Sequence, residues 1–176
     1  MAEGNDLARV ISGCKNGDAE CFSQLVDMYA RRCYGYFYRL TGNNDVSDEL
    51  LSELFVKLVE KIGSFKKGSF ESWLFKVASN IFYDYLRDKQ RQSKLLNGRR
   101  EVELREQKKK QPETEETDEL RTQLRKLDAD TRELIVLRFY SQASFKEIAE
   151  MRGEPIGTTL SKVHRGLKKL RELMGG

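Results

Sequence analysis

Side chains suited to binding nucleic acid recur along one predicted helix in the N-terminal half of the chain. They lie three and four residues apart, and we call this set the aromatic face: Trp73, Lys76, Asn80, Tyr83 and Arg87. Such spacing places side chains on one side of an α-helix. Flat rings stack on unpaired bases, cations hold phosphates, and amides read base edges. The aromatic face therefore predicts a site for single-stranded nucleic acid, although Trp73 taken alone is better interpreted as a core residue.

A second cluster of polar and basic side chains lies on a predicted helix that begins near Gly157. Ser144 and Glu147 form a capping box at the start of the helix before it. Gly153 ends that helix, and Pro155 cannot lie inside the next one. The two helices are therefore joined by a tight turn, which is typical of a helix-turn-helix that reads duplex DNA.

The second of these helices has two chemically different faces. Its apolar residues are spaced by four and three: Ile156, Leu160, Val163, Leu167 and Leu170. The other residues are small, polar or basic: Thr158, Thr159, Ser161, Lys162, Arg165, Lys168 and Lys169. We expect the apolar stripe to pack on the preceding helix and the polar face to point outward, into a major groove.

Charge is distributed unevenly along the chain, whose 176 residues carry a formal net charge of +4. Residues 86–100 include six basic side chains and one acidic, a net charge of +5, and residues 157–176 include five and one, a net charge of +4. Residues 45–61 include five acidic side chains and two basic, a net charge of −3. Two basic patches and one acidic helix indicate two nucleic-acid contacts and one protein contact.

The reactive side chains argue against an enzyme, a metal site or a bound cofactor. The three cysteines, Cys14, Cys21 and Cys33, form no C-x-x-C pair, and the single histidine, His164, lies far along the chain from them. No G-x-x-x-x-G-K-[ST] loop is present. We therefore predict no catalytic residue and no metal ligand, and we expect the cysteines to be small buried side chains. No apolar run approaches the ~18 residues of a membrane span, and the N-terminus has no secretion-signal pattern.

The hydrophobic pattern predicts an all-α fold, because no stretch alternates as strands do. We expect helices in these segments: Asp6 to Lys15, Asp18 to about Leu40, Asn44 or Asp45 to Ile62, Ser69 to about Arg91, and onward from about Glu119. From residue 93 to residue 118 the apolar pattern fades, and a lysine run is followed by an acidic run. The sequence thus predicts two small helical domains, residues 1–92 and 119–176, joined by a flexible charged linker, residues 93–118.

The helix that carries the aromatic face also has an apolar stripe. The stripe has helical spacing and consists of Phe70, Leu74, Val77, Ile81 and Tyr85. We expect it to face the core of the N-terminal domain, which leaves the aromatic face accessible. A loop from Gly63 to Gly68 precedes this helix.

Both halves of the chain resemble the extracytoplasmic-function (ECF) sigma factors of bacterial RNA polymerase. The family's polymerase-binding helix resembles residues 48–55, D-E-L-L-S-E-L-F, and its −10 recognition helix resembles residues 69–87, S-F-E-S-W-L-F-K-V-A-S-N-I-F-Y-D-Y-L-R. Its −35-reading domain is similar to residues 127–140, L-D-A-D-T-R-E-L-I-V-L-R-F-Y, and 157–170, G-T-T-L-S-K-V-H-R-G-L-K-K-L. The resemblance implies a sigma factor that binds core polymerase, melts DNA and directs promoter-specific initiation.

The resemblance also assigns a role to each of three surfaces. It implies that these residues dock on the clamp of core polymerase: Asp48, Glu49, Leu51, Ser52, Glu53 and Phe55. It implies that these hold the melted −10 element: Phe65, Lys66, Lys67, Trp73, Lys76, Asn80, Tyr83, Asp84 and Arg87. It implies that these contact the −35 element: Gly157, Thr158, Thr159, Ser161, Lys162, Arg165, Lys168 and Lys169.

Several further expectations follow from the resemblance. The loop Phe65 to Ser69 would form the pocket for a flipped base. The partners would be promoter DNA, the clamp coiled coil and flap of core RNA polymerase, and an anti-sigma factor, without insertion into a membrane. The protein would not itself be an enzyme, and it would be cytoplasmic and associated with the nucleoid. Lys162 stands where the family usually has arginine, and it keeps the charge without the bidentate geometry.

Two other functions fit parts of the pattern. A stand-alone helix-turn-helix regulator would use its N-terminal helices for dimerisation or ligand sensing and would bind duplex operators without polymerase. A non-transcriptional RNA-binding protein would use the aromatic face and the basic segment that follows it. Binding to core polymerase that lacks a sigma factor separates both alternatives from the sigma-factor hypothesis.

Overall fold

The computed structural model of the chain describes residues 2–96 and 115–176, and every regular element in these two segments is helical. The predicted all-α fold is therefore confirmed. Residues 97–114 of the predicted linker lie outside the described residues, and helices extend into both ends of that linker. Each helix described is either too short or too polar to span a lipid bilayer.

Four helices make up the described part of the N-terminal domain. They are α1 (Ala2–Lys15), α2 (Ala19–Thr41), α3 (Asn44–Lys61) and α4 (Phe70–Leu95), with a 3-10 turn at Ile62–Ser64 between the last two. The Asp18 carboxylate accepts hydrogen bonds from two backbone N–H groups at the start of α2. The Ser69 hydroxyl accepts one at the start of α4. Both caps were predicted, because Asp and Ser satisfy the free N–H groups of a first helical turn.

Three helix boundaries differ from the prediction. Helix α1 begins at Ala2 rather than Asp6, and α4 continues to Leu95 rather than ending near Arg91. Asn43 caps α3 in place of Asn44 or Asp45, and its Oδ1 accepts a hydrogen bond from the Val46 N–H at 3.0 Å. Asn43 has the extended backbone that a cap requires, whereas the next two residues are already helical.

The C-terminal domain contains the predicted helix-turn-helix. Its helices are α5 (Glu115–Lys126), α6 (Ala129–Ile135), which continues into a π-helical turn (Val136–Tyr140), α7 (Phe145–Arg152) and α8 (Ile156–Leu173). Ser144 and Glu147 form the predicted capping box. Gly153 ends α7 with a positive φ of 62°, a conformation that glycine adopts at little cost. The remaining helix, α8, is the recognition helix of the motif.

The core of the N-terminal domain forms around the predicted apolar stripe of α4. Phe70, Leu74, Val77 and Ile81 are at most 7% exposed, and Tyr85 is half-buried. They belong to one cluster with fully buried side chains from α2 and α3: Leu25, Phe37, Leu40 and Leu54. Burying a side chain of this size contributes roughly 1.5–3 kcal/mol to folding. This packing fixes the rotation of α4 and thereby the direction of the aromatic face.

The recognition helix α8 buries a stripe that differs from the predicted one. Ile156 and Leu160, expected to pack inward, are 49% and 43% exposed, whereas Thr159 is fully buried. Gly166 is also buried, and a Cβ there would lie 2.5 Å from Thr131 Cγ2 on α6. Because α6 packs so closely on Gly166, α8 is rotated away from the face that hydropathy alone selects.

The two domains pack directly against each other. Arg132 of α6 donates a 2.7 Å hydrogen bond to the Leu40 carbonyl at the end of α2. The Arg39 guanidinium lies 3.8 Å from the centroid of the Tyr140 ring. At Gly35 the approach is so close that an added Cβ would lie 2.0 Å from the Tyr140 hydroxyl oxygen. Sequence reasoning described two tethered domains and did not predict this interface.

Candidate nucleic-acid and protein interfaces

Helix α4 presents most of the aromatic face to solvent. Lys76, Asn80 and Arg87 are exposed. Trp73 is half-buried, and its ring packs on the Phe65 ring with the centroids 5.6 Å apart. Trp73 therefore packs on a neighbouring ring and still reaches solvent, so cations, an amide and an aromatic edge share one accessible strip.

The loop Phe65 to Ser69 lies at the start of this strip, and its predicted DNA contacts Lys66 and Lys67 are exposed. Lys15 of α1 donates a hydrogen bond to the Phe65 carbonyl, and its ammonium lies 5.6 Å from the centroid of the Phe65 ring. A cavity of about 380 Å³ opens between α1 and the loop, which is within the size range of ligand pockets. Sequence reasoning missed Lys15, because the contact joins residues 50 positions apart.

Tyr83 differs from the rest of the aromatic face because its hydroxyl is already engaged. It lies 3.0 Å from Asp130 Oδ1 and 2.9 Å from Glu133 Oε2, both on α6. Arg152 of α7 donates to the same hydroxyl oxygen at 3.1 Å. Burial, followed by the nearby Glu133 carboxylate, raises the pKa of Tyr83. The phenol is therefore a neutral hydrogen-bonding group held by the other domain.

Asp84 and Arg87 form an ion pair across one turn of α4. The Asp84 carboxylate also lies 3.9 Å from the ammonium of Lys57 on α3. Arg87 keeps 68% of its side chain exposed, so it remains available to a phosphate. Asp84 thus links the predicted −10 surface to the helix predicted to bind polymerase.

The aromatic face and α7 form the two walls of a groove of about 560 Å³. Lys67, Trp73 and Lys76 line one wall, and Lys146, Glu147 and Glu150 line the other. The α7 wall therefore presents one cation and two carboxylates to the predicted −10 surface.

Helix α3 carries the acidic face, which we define as Asp48, Glu49 and Glu53. All three residues are exposed. Among the other residues predicted to bind polymerase, Ser52 is exposed and Leu51 and Phe55 are half-buried. Two exposed apolar residues of α3, Val56 and Val59, were not predicted. Their exposure could have been inferred from the spacing of the buried residues, Leu50, Leu54 and Leu58.

The recognition helix exposes most of the residues predicted to contact the −35 element. Those with exposed side chains or, for glycine, an exposed backbone are Gly157, Thr158, Ser161, Arg165, Lys168 and Lys169. They include three cations, Arg165, Lys168 and Lys169, of which Arg165 and Lys169 also line a cavity beside Asp130 and Thr131 of α6. This surface can hold phosphates and reach base edges in a groove.

Thr159 and Lys162 depart from that pattern. The Thr159 hydroxyl donates to Glu154 Oε1 at 2.7 Å, and Lys162 donates to Glu154 Oε2 at 2.8 Å. Burial would raise the pKa of Glu154, but the hydrogen bonds from Lys162 and Thr159 outweigh it and lower that pKa. The expectation that the Thr159 side chain faces outward is corrected by its complete burial. Lys162 is partly accessible but is committed to a carboxylate.

The C-terminal domain also has an apolar groove of about 330 Å³ that sequence reasoning did not identify. Leu120, Leu124, Phe139 and Leu167 line it. Phe139 is 56% exposed and Leu120 is 38% exposed. The aromatic residue in L-R-F-Y was the available signal, but periodicity alone does not show that this ring lies outside the core.

The cysteines are buried free thiols, as predicted. Burial raises the pKa of Cys33 to about 12, which keeps this thiol protonated and unreactive at neutral pH. Over the part of the chain that the structure describes, no three His, Cys, Asp or Glu side chains are grouped as metal ligands would be.

Comparison with family models gives matches to both domains. Residues 25–92 match the family described as Sigma-70 region 2, and residues 117–170 match Sigma-70, region 4. The first match contains the acidic and aromatic faces, and the second contains the helix-turn-helix.

Relatives matched over nearly their whole length are also sigma factors. The ECF RNA polymerase sigma factor SigW of Bacillus subtilis is 29% identical, over 94% of this chain and 95% of its own length. The RNA polymerase sigma factor CarQ of Myxococcus xanthus is 31% identical, over 92% of this chain and 93% of its own. In a solved complex with the anti-sigma factor NepR, the sigma factor RpoE from Bartonella quintana is 26% identical, with a TM-score of 0.76 over 88% of this chain and 96% of its own.

Proposed function

Because the chain belongs to the ECF sigma factors of RNA polymerase, we propose that its three accessible surfaces divide promoter recognition among them. As a member of the family it directs core polymerase to promoters. In this proposal the N-terminal domain, residues 1–92, binds core polymerase and opens the −10 element. The C-terminal domain, residues 119–176, reads the −35 element, and residues 93–118 connect the two domains.

The aromatic face is the observation that best supports the proposal. Trp73 and Phe65 offer ring surfaces beside the exposed amide of Asn80 and the exposed ammonium of Lys76. Extruding a base from a duplex costs a few kcal/mol. Stacking on an aromatic ring returns roughly 1–3 kcal/mol for each base. A strip that combines rings with cations is therefore suited to stabilise a melted strand, which a duplex operator reader does not require.

The cavity between α1 and the loop Phe65 to Ser69 is our candidate for the flipped base. Its lining combines apolar side chains with the ammonium groups of Lys15 and Lys66. A base would bind by its flat face, and its phosphate would meet the cations at the rim. Exposed Lys67 continues the positive charge toward the aromatic face.

We assign the −35 contacts to the exposed surface of α8. Arg165, Lys168 and Lys169 would hold phosphates, which position the helix without reading sequence. Thr158 and Ser161 lie nearer to the N-terminal end of the helix, which enters the major groove in this motif. Lys162 can join them only after it leaves Glu154.

Polymerase would be bound by two chemically different surfaces. The acidic face of α3 suits the basic coiled coil of the clamp, and exposed Val56 and Val59 add apolar area beside it. The apolar groove around Phe139 suits the flap, because a half-open groove lined by leucines can accept an apolar side chain. An anti-sigma partner, as in the RpoE–NepR complex, would compete for these surfaces.

The proposal makes the protein a non-catalytic specificity subunit that works in the cytoplasm on the nucleoid. Run-off transcription tests it: the purified chain is mixed with sigma-free core polymerase and candidate promoter DNA. A transcript that starts at one position supports the proposal. Absence of core binding contradicts it, and tight operator binding by the chain alone would favour a stand-alone regulator.

A further inference from the structure

We propose that Glu154 limits the affinity of the recognition helix for DNA of any sequence, because it holds the ammonium group of Lys162 away from the phosphates. Glu154 is then a positioning residue, which acts on DNA binding through Lys162. The inference rests on the proposed assignment of α8 to DNA. It adds a residue of the turn before α8 that decides how many cations of this helix meet a duplex.

Glu154 lies in the turn of the helix-turn-helix, between Gly153, which ends α7, and Pro155, which precedes α8. Its backbone N–H donates a hydrogen bond to the Ala149 carbonyl at 3.1 Å. Its side chain is only 15% exposed. The turn therefore fixes the backbone of Glu154, and the neighbouring groups keep its carboxylate beside the first turns of α8.

Both oxygens of the Glu154 carboxylate are bonded to side chains of α8. Oε1 accepts a hydrogen bond from the Thr159 hydroxyl at 2.7 Å, and Oε2 accepts one from the Lys162 ammonium at 2.8 Å. The Thr159 side chain is itself fully buried. A negative charge close to the N-terminus of a helix is also favoured by the helix dipole. Glu154 is thus held at a second point, and it does not follow Lys162 when the lysine moves outward.

A second carboxylate adds to the hold on Lys162. Asp130 Oδ2 on α6 lies 3.9 Å from the lysine ammonium, and the Lys162 side chain is 31% exposed. If the lysine left, the mostly buried carboxylate of Glu154 would lose its charged partner, and an uncompensated charge inside a protein is costly. A phosphate must therefore offset this loss before it can bind Lys162.

Lys162 belongs to a strip of α8 that carries phosphate-binding cations. Arg165 and Lys169 follow it at spacings of three and four residues, and all three side chains line one cavity of about 330 Å³. Side chains at these spacings share one side of a helix. A released Lys162 would therefore add a phosphate contact, which raises affinity without reading sequence. By preventing this contact, Glu154 makes binding depend more on base contacts than on general attraction to DNA.

The test compares variants of the full chain without polymerase. Glu154→Gln removes the negative charge, and its amide oxygen can still accept a hydrogen bond from Thr159. Glu172→Gln is the matched control, because it removes the same charge from an exposed position near the C-terminal end of α8. A double variant combines Glu154→Gln with Lys162→Met, which keeps a long side chain at residue 162 and removes its ammonium group.

Fluorescence anisotropy measures the affinity of each protein for a labelled pool of random duplexes, at salt concentrations from about 50 to about 200 mM. The logarithm of affinity falls with the logarithm of salt concentration, with a slope of about −0.9 for each phosphate contact. We expect Glu154→Gln to bind the pool roughly 3- to 10-fold more tightly at low salt, with a slope steeper by about 0.9, because one more phosphate is bound. Glu172→Gln should keep the slope of the parent protein, and the double variant should return to that slope.

An unchanged slope in Glu154→Gln overturns the proposal, and so does an equal steepening in Glu172→Gln or in the double variant. Weaker binding by Glu154→Gln would show that the carboxylate only supports the turn, and this result overturns the proposal as well. Run-off transcription by the same proteins tests the proposed function separately. If none of them directs core polymerase although Glu154→Gln gains affinity for the pool, the proposed function fails and the role of Glu154 stands.

Discussion

The surface assigned to polymerase and the surfaces assigned to DNA are in different states in this structure. The acidic face of α3 is exposed along its length. In contrast, Tyr83 on α4 is bound by two carboxylates of the other domain, and Lys162 on α8 is bound by Glu154. The surface proposed to bind polymerase is therefore open to solvent, whereas two of the groups proposed to bind DNA are held in internal contacts.

Charge explains this difference. The cations and hydroxyls that suit DNA also suit carboxylates, and the C-terminal domain supplies Asp130, Glu133 and Glu154 close by. The acidic-face carboxylates of α3 are exposed, and Glu53 pairs with Lys57 of its own helix at 3.6 Å rather than with the other domain.

Replacing Glu133, whose fully buried carboxylate joins the two domains, should have the largest effect on these internal contacts. Glu133→Ala leaves the Arg152 guanidinium with only part of its compensation, and breaking a buried pair in this way costs roughly 3–5 kcal/mol. Denaturant unfolding should show a loss of that size, whereas the exposed control Glu150→Ala should change little. The folded fraction should still bind core polymerase with the affinity of the parent protein, because the hydrogen bonds of Glu133 do not involve α3. An unfolding free energy equal to that of the parent would contradict the role of Glu133.

Gly166→Ala tests how the recognition helix is seated. Helix propensity alone predicts a gain of about 1 kcal/mol for alanine. The structure predicts the opposite sign, since the new Cβ would lie 2.5 Å from Thr131 Cγ2, and overpacking costs roughly 1–3 kcal/mol. Thermal unfolding measures the sign directly. Gly157→Ala is the control, because nothing lies within 4 Å of a Cβ there.

Asn80→Ala separates the two surfaces at the level of function. Asn80 is exposed on the aromatic face, and loss of one good base contact weakens recognition by about 1–3 kcal/mol. We expect open-complex formation to fall roughly tenfold, as measured by permanganate footprinting of the melted strand. Core binding should be spared, and Gln90→Ala on the exposed end of α4 should leave both unchanged. If core binding falls together with melting, Asn80 has a structural role.

Glu53→Gln should have the smallest effect, and it should weaken only the binding of core polymerase to the acidic face of α3. An exposed charge contributes up to about 1 kcal/mol to a contact, less at high salt. Titration of core polymerase at low and high salt should show a modest loss at low salt that disappears at high salt. Affinity of the free chain for single strands should not change. Glu60→Gln, farther along the same helix, is the matched control; an equal loss there would show that general charge, rather than the acidic face, is being measured.

Local signals in the sequence were sufficient for much of the fold. The Asp18 and Ser69 caps and the box formed by Ser144 and Glu147 depend only on neighbouring backbone groups, so their residue types predicted them. The apolar stripe of α4 was equally predictable, because a long helix against one core has a regular period.

Contacts between distant segments were not predictable in this way. Thr159 is buried because its hydroxyl donates a hydrogen bond to Glu154 and because α6 packs on Gly166. Neither contact changes the hydropathy pattern of the sequence. In the sequence, Glu133 looks like an ordinary polar residue of α6. It can be buried because hydroxyl groups from α2 and α4 donate hydrogen bonds to its carboxylate. Periodicity reports which face of a helix is apolar, and it does not report which polar groups another domain will satisfy.

The close approach at Gly35 has a consequence for laboratory evolution of this chain. Gly35 lies in the interior of α2, which is 23 residues long, and alanine at such a position stabilises a helix by about 1 kcal/mol. A methyl group there would displace the Tyr140 ring from its place beside Arg39. Selection for heat resistance of the N-terminal domain would therefore favour alanine at this position and, in the same step, weaken the contact between the two domains.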